Sequence, residues 1–221
     1  MDPYPVPDVI PIFPLRQTVL LPGEVLPLHI FEHRYRKLVA DVLETHNVIG
    51  MVQWAPGAIE GSVLPPPVRE VGCAGLLYQH LKMDDGRYLV WLLGLQKFHI
   101  AEELESITPY RQVRVDYPPG PLGGRAPEHL TDARLDLLAS FPFLLRAQRG
   151  GAQSLMEQLA SVDDDQFIAV SAQILGLSSE QKQALLEAGG IGDRYGLLRE
   201  ELSRRLKDGT GPFDSDRWSL N

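Results

Sequence analysis

Three side chains in the stretch HIFEH, namely His29, Glu32 and His33, stand at H-x-x-E-H spacing. On one continuous helix that spacing turns both imidazoles toward a single metal ion. It also sets the carboxylate beside the metal-bound water, as in a zinc hydrolase. The residues around it oppose that use. Pro27 stands two positions before His29, and proline pushes the residue before it out of helical geometry. VLPLHI therefore reads as extended, with the helix beginning near His33, so the motif is expected to break across a strand–helix junction. The remaining histidines, His46, His80, His99 and His129, are scattered singly and mark no third ligand. No metal is expected, and a zinc hydrolase using His29, Glu32 and His33 ranks last among the functional readings.

Other catalytic patterns are missing from the sequence. There is no G-x-x-x-x-G-K-[ST] phosphate loop and no G-x-S-x-G nucleophile elbow. Ser154, Ser161, Ser171, Ser178 and Ser179 fall at helix starts or on polar faces, where capping accounts for most of them. The acidic triplet Asp163–Asp165 follows Ser161, the expected N-cap, and its charge suits the positive end of a helix better than a metal. Cys73 is the single cysteine, so no intramolecular disulfide forms; among small and aliphatic neighbours it reads as a core residue. These readings give a protein that is not an enzyme and has no cofactor.

The formal charge is −8, shared about evenly between the two halves of the chain. Nucleic-acid affinity comes mainly from clustered Lys and Arg, so RNA is a disfavoured partner, though a local basic patch such as Arg34, Arg36 and Lys37 exists. The N-terminus lacks the basic and apolar regions of a signal peptide, and no run of about 18 apolar residues exists to span a membrane. A cytoplasmic location and no membrane partner are the expectation.

With 44% hydrophobic residues the chain can build a sizeable core. Val9–Leu15 and EVLPLHI read as strands around a Pro22–Gly23 turn. Tyr35, Leu38, Val39, Val42 and Leu43 then recur at helical spacing. NVIGMVQW returns to a strand, and Trp54–Pro67 is a Gly- and Pro-rich loop. Asp84–Gly86 separates two apolar runs, a hairpin signal. Tyr110–Tyr117 alternates, with Val113 and Val115 inward. After PPGPLGGRAP, at 118–127, every periodic segment is helical. The expected division is a β-rich unit at 1–118, a helical bundle at 119–208 and a flexible tail at 209–221.

Aromatic residues are the remaining candidates for function. Along Arg87–Ile100, period two puts Leu89, Trp91, Leu93 and Leu95 on one face and Tyr88, Val90 and Leu92 on the other. Two apolar faces mean a strand covered on both sides, the favoured reading, or one left as a sticky surface. Trp54 borders the loop. Trp54, Tyr78, Tyr88 and Trp91 are the candidate partner-binding residues.

PLR at Pro14–Arg16, PG at Pro22–Gly23, EVG at Glu70–Gly72 and GLQKF at Gly94–Phe98 stand in an order that resembles the amino-terminal substrate-binding domain of Lon proteases. SVDDDQFIAVSAQILGLSSEQKQALLEA resembles that domain's helical part. The resemblance runs over about residues 8–208. It implies an α+β fold: a PUA-like β pseudo-barrel with one long helix, followed by an α-helical bundle. It also implies a protein or unfolded polypeptide as partner, held in an apolar groove at the barrel or where barrel meets bundle. The ATPase and peptidase modules of a full Lon are not in these 221 residues, so the resemblance is to stand-alone Lon-domain proteins. RNA binding, known for PUA-like folds, is the alternative.

The Pro/Gly run gives a direct expectation. Limited proteolysis should cut first within 118–127 or after Lys207. First cuts inside Arg87–Ile100 would contradict both the hairpin and the division.

Overall fold

The computed structural model describes residues 4–59, 65–118, 131–144 and 152–208. The chain divides into two compact units, Met1–Leu122 and Gly123–Asn221. Most of the 118–127 run and all of the 209–221 tail lie outside the described residues.

The first unit is built on six strands and one helix: β1 (Val9–Leu15), β2 (Val25–Ile30), α1 (His33–Leu43), β3 (Val48–Gln53), β4 (Val71–Lys82), β5 (Tyr88–Leu104) and β6 (Gln112–Asp116). The sheet order is β2-β5-β4-β3-β1-β6, and β6 pairs again with β5. That second pairing closes a ring of β5, β4, β3, β1 and β6, with β2 as an extra strand on the outside. Strand β5 makes this possible by its length. Its first half, Tyr88–Leu93, pairs with β2; its second half, His99–Leu104, pairs with β6; β4 runs along its other edge. Strands β1 and β3 are parallel, so the chain needs a crossover between them, and β2 with α1 supplies it. The result is the pseudo-barrel that the sequence resemblance implies.

Residues Ile10, Ile12, Val48, Val52, Ala74, Phe98, Val113 and Val115 fill the ring, with every strand but β2 contributing. Phe98 is fully buried. A Cβ at Gly72 would come within 2.5 Å of the Phe98 ring and 2.6 Å of the Met51 carbonyl oxygen; one at Gly50 would come within 3.1 Å of the same ring. The two glycines therefore make the room that the phenylalanine takes.

The Pro22–Gly23 turn locks onto β5 at a second glycine contact. Gly23 N donates to Gly94 O and Gly94 N to Glu24 O, both at 2.8 Å. A Cβ on Gly94 would sit 2.0 Å from the Leu21 carbonyl oxygen. The Glu24 carboxylate is buried and accepts from Leu21 N at 3.0 Å, so the turn's own backbone satisfies it. The β4–β5 hairpin turns at Asp84–Gly86 as the sequence indicates. Gly86 takes φ +81°, a conformation costly for any side-chain-bearing residue.

The second unit contains α2 (Thr131–Leu144), α3 (Ala152–Ser161), α4 (Asp164–Ile174), α5 (Ser179–Glu187) and α6 (Ile191–Asp208). Its core includes Leu137, Phe141, Phe167, Leu175 and Leu198. The acidic triplet works differently from the sequence expectation. Ser161 ends α3, and Asp163 is the cap of α4, accepting from Gln166 N at 2.8 Å. Asp164 is buried, accepting from Arg134 at 2.9 Å and from the Tyr195 hydroxyl at 2.5 Å, while Asp165 accepts from Arg194 at 2.7 Å. Arg134 also donates to the Leu159 and Val162 carbonyls, so one guanidinium joins α2, the end of α3 and the start of α4. Asp163 is the cap because it stands just before the helix with its side chain on the Gln166 amide, whereas Asp164 and Asp165 already lie inside α4. Ser178 caps α5 in a reciprocal pair with Gln181.

Two predictions follow from these contacts. Gly94→Ala forces backbone against backbone and should cost about 3 kcal/mol or more. Gly196→Ala, in the exposed middle of α6 with open space around it, should stabilise by roughly 0.5–1 kcal/mol. Denaturant titration of both variants checks the contrast, and equal effects would refute it.

Glu201 is buried on α6 and accepts from Arg204, Arg205 and Gln181. The Arg204 hydrogen bond, opposed by burial and helped by Arg205, holds its carboxyl below the usual glutamate range. A depressed carboxylate adds stability that is complete above the unfolded value of about 4.3 and is lost as pH falls through the lower folded value. Thermal melts of Glu201→Gln should therefore differ most from the parent at neutral pH and converge with it as pH falls through the lowered folded value. A gap that stays constant with pH would contradict this.

Candidate functional site

The HIFEH residues do not form a site. His29 lies in β2, Glu32 is the residue at which α1 is entered, and His33 is the first residue of the helix. Glu32 adopts φ −65° and ψ 135°, makes no capping bond and instead takes the Arg34 guanidinium at 2.9 Å. Among the described residues no group of three or more His, Cys, Asp or Glu side chains is arranged to hold a metal. Cys73 is buried in β4.

A different feature stands out on the sheet. Strands β2, β5 and β4 pair antiparallel, and directly paired residues share a face. Val25 pairs with Leu93, Pro27 with Trp91 and His29 with Leu89; across the other edge Trp91 pairs with Gln79 and Leu89 with Leu81. These eight positions make one continuous surface with no Asp, Glu, Lys or Arg. Val25 is 44% exposed and Leu81 56%, while Leu89, Trp91 and Leu93 are half-buried. The opposite face is core: Tyr88, Val90 and Leu92 are all buried. The strand with two apolar faces is thus covered on one side and left partly open on the other.

The four aromatic candidates separate on this geometry. Trp91 sits in the middle of the open face. Tyr78 lies at a β-bulge, between the Leu77–Leu92 and Gln79–Trp91 pairs, and is 49% exposed. Alternation from core-facing Leu77 already turns Tyr78 outward, and the bulge then puts Gln79 and Leu81 on the open side as well. Tyr88 is only 5% exposed and belongs to the core face. Trp54 pairs with Val68 ahead of β4, at the far end of that strand from Tyr78. So the structure brings Tyr78 and Trp91 together, and not Tyr88 or Trp54. Sequence reasoning missed Val25, Pro27 and Leu81. The apolar alternation of VLPLHI is the signal that carries the first two; nothing local marks Leu81, whose exposure depends on the bulge.

The charges of α1 and of the β4–β5 turn are largely neutralised by neighbours. Arg34 meets Glu32, Lys37 meets Asp41, and Arg87 meets Asp85 at 2.6 Å. Arg36 donates to the Asp85 carbonyl at 3.2 Å. The Arg87 amide, with the Arg87 guanidinium, holds the Asp85 carboxyl below its usual range. The basic patch Arg34, Arg36 and Lys37 is therefore spent on local contacts. Asp41 also accepts from the Tyr110 hydroxyl at 2.7 Å. Burial, then that carboxylate, pushes Tyr110 up to about 12, so it stays a neutral donor fixing α1 to the segment before β6. Among the described residues no helix is long and apolar enough to cross a membrane.

Comparison with known proteins agrees with this architecture. The chain is 28% identical over 215 residues to Lon protease 2 of Myxococcus xanthus, covering 90% of this chain and 24% of the relative. It is 32% identical over 112 residues to the Lon protease of Dictyoglomus thermophilum, covering 50% and 14%. The chain thus spans about a quarter or less of these relatives' length. Among solved structures, the N-terminal domain of Mycobacterium avium complex Lon protease superposes with TM-score 0.67 at 17% identity, covering 88% of this chain and 98% of that one. A Lon N-terminal domain protein from Xanthomonas campestris gives 0.63 at 20% identity, covering 87% and 97%. The family model for the ATP-dependent protease La (LON) substrate-binding domain matches residues 9–204, and the chain belongs to that family.

Proposed function

We propose that this protein is a non-catalytic substrate-binding module that holds exposed apolar segments of unfolded polypeptides on the outer face of β2, β5 and β4. The observation that carries the reading is the uncharged, partly open surface around Trp91, flanked by Tyr78 and Leu81. An aromatic ring with apolar neighbours suits a binding hot spot, since such anchors dominate binding energy when fully desolvated. Membership of the Lon substrate-binding domain family supports the same class of partner. The acidic balance and the paired state of Arg34 and Lys37 weigh against a phosphate backbone as ligand. A cytoplasmic protein that delivers or retains such clients needs no metal or cofactor.

The test is to titrate a fluorescent apolar peptide and a single-stranded RNA separately, at low and high salt. Apolar burial responds weakly to salt, and phosphate binding falls steeply with it. Tyr78→Ala and Leu81→Ala should each weaken peptide binding by about 1 kcal/mol, roughly fivefold, with little change in melting temperature because both side chains are exposed. Trp54→Ala is the positional control: a loss there and none at Tyr78 or Leu81 would move the site to the other end of β4. Tight, salt-sensitive RNA binding with no peptide binding would replace this reading.

A further inference from the structure

We infer that the free edge of β2 takes a client segment as an added β-strand, so that the backbone of an extended, uncharged polypeptide is part of what is recognised. This rests on the substrate-binding reading above and says how the same surface engages its ligand.

The hydrogen-bonding direction of β2 decides the matter. Gly94 N donates to Glu24 O, so the Glu24 carbonyl faces β5. Alternation then turns the backbone groups of Leu26, Leu28 and Ile30 toward β5, and those of Val25, Pro27 and His29 away from it. Strand β2 pairs only with β5 among the described residues, and the Val25 and His29 amides have no backbone partner there. The outward edge therefore offers three carbonyl acceptors, at Val25, Pro27 and His29, and two N–H donors, at Val25 and His29. All three residues are exposed. Pro27 fits because its nitrogen, which has no proton, points to the open side and costs β2 no bond to β5.

Proline also selects the occupant. If two copies of β2 paired about a two-fold axis through Pro27, the prolines would face each other and neither could donate. A foreign strand has an N–H to give the Pro27 carbonyl, so it makes a bond that this symmetric self-pairing lacks. Added strands gain affinity from main-chain bonds and specificity from alternate side chains. Here the alternate side chains of the guest would extend the surface of Val25, Pro27, Trp91 and Leu93. A charge placed there meets no counter-charge, so an uncharged apolar segment is the complement.

The test uses the full chain and a labelled ten-residue peptide alternating Thr with Val or Leu. Two further peptides carry N-methyl groups at alternate residues, one set on each edge, with side chains unchanged. The unmodified peptide should bind, and one methylated peptide should bind about tenfold or more weakly, because its docked edge has lost its donors. Amide exchange at Val25 and His29 should be fast in the free protein and slow by at least about tenfold at saturating peptide. If the unmodified and both methylated peptides bind equally and those amides stay unprotected, the edge inference falls while the apolar-face reading survives. If no peptide binds, both fall.

Discussion

The steric lock between bulky groups and glycines along β4 and β5 is the constraint on which the first unit depends. Phe98 occupies space that exists only because Gly72 and Gly50 carry no side chain. A few residues earlier on the same strand, Gly94 lets the Leu21–Gly23 turn approach backbone to backbone. The first contact fills the ring; the second fixes where β2 begins. Both act through strand β5, so an error in its register would displace the core and the turn together. Gly72, Gly94 and Phe98 belong to the same short stretches, EVG and GLQKF, that carry the resemblance to the Lon domain. Their value as a sequence signature has a physical source: each is a place where only one side-chain volume fits.

The partly open apolar face is a consequence of the same arrangement. Strand β5 is too long for its ring, since β6 uses only its second half. Its first half extends past the closure and needs another strand, which the turn at Pro22–Gly23 supplies as β2. One side of this extension covers the core through Tyr88, Val90 and Leu92. Its other side is left with apolar residues that the ring has no use for. The bulge at Tyr78 adds to that surface by interrupting the alternation of β4.

Much of this architecture was legible in the sequence, for definite reasons. Period-two and period-3.6 patterns mark β5, β6 and α1 because each buries one face against a core. Asp84–Gly86 marks the hairpin because Gly86 must take positive φ. The HIFEH motif was correctly divided between strand and helix because Pro27 is a strong local rule. Other features were hidden because they depend on partners distant in sequence. Ser161 looks like a cap, yet Asp163 has the role, and Asp164 and Asp165 are held by Arg134, Tyr195 and Arg194. Tyr88 and Trp91 look equivalent as aromatics on a strand, and only the pairing with β2 and β4 shows that one faces the core and the other the open side. Trp54 looks like a companion to Tyr78 until the sheet sets them at opposite ends of β4.

A surface of this kind suits loose holding better than tight capture. Its outer side chains are exposed, but the central ones, Trp91 and Leu89, are already half-buried, so a guest gains only part of their transfer energy. Ordering an unfolded segment costs free energy for every residue fixed, which sets a limit on net affinity. An edge strand offsets some of that cost with bonds that do not depend on which residues the guest carries, while the uncharged face adds a preference for apolar ones. Weak, backbone-assisted and sequence-tolerant recognition can act on many unfolded chains and still release them. Catalysis would require the reverse: a fixed constellation of polar groups held to sub-ångström tolerance. The polar groups that are tightly fixed, such as Glu24, Asp164 and Glu201, are instead satisfied by the protein's own backbone and side chains. They hold turns and helices in place, and the partner contact that we propose falls to the part of the sheet that carries no charge.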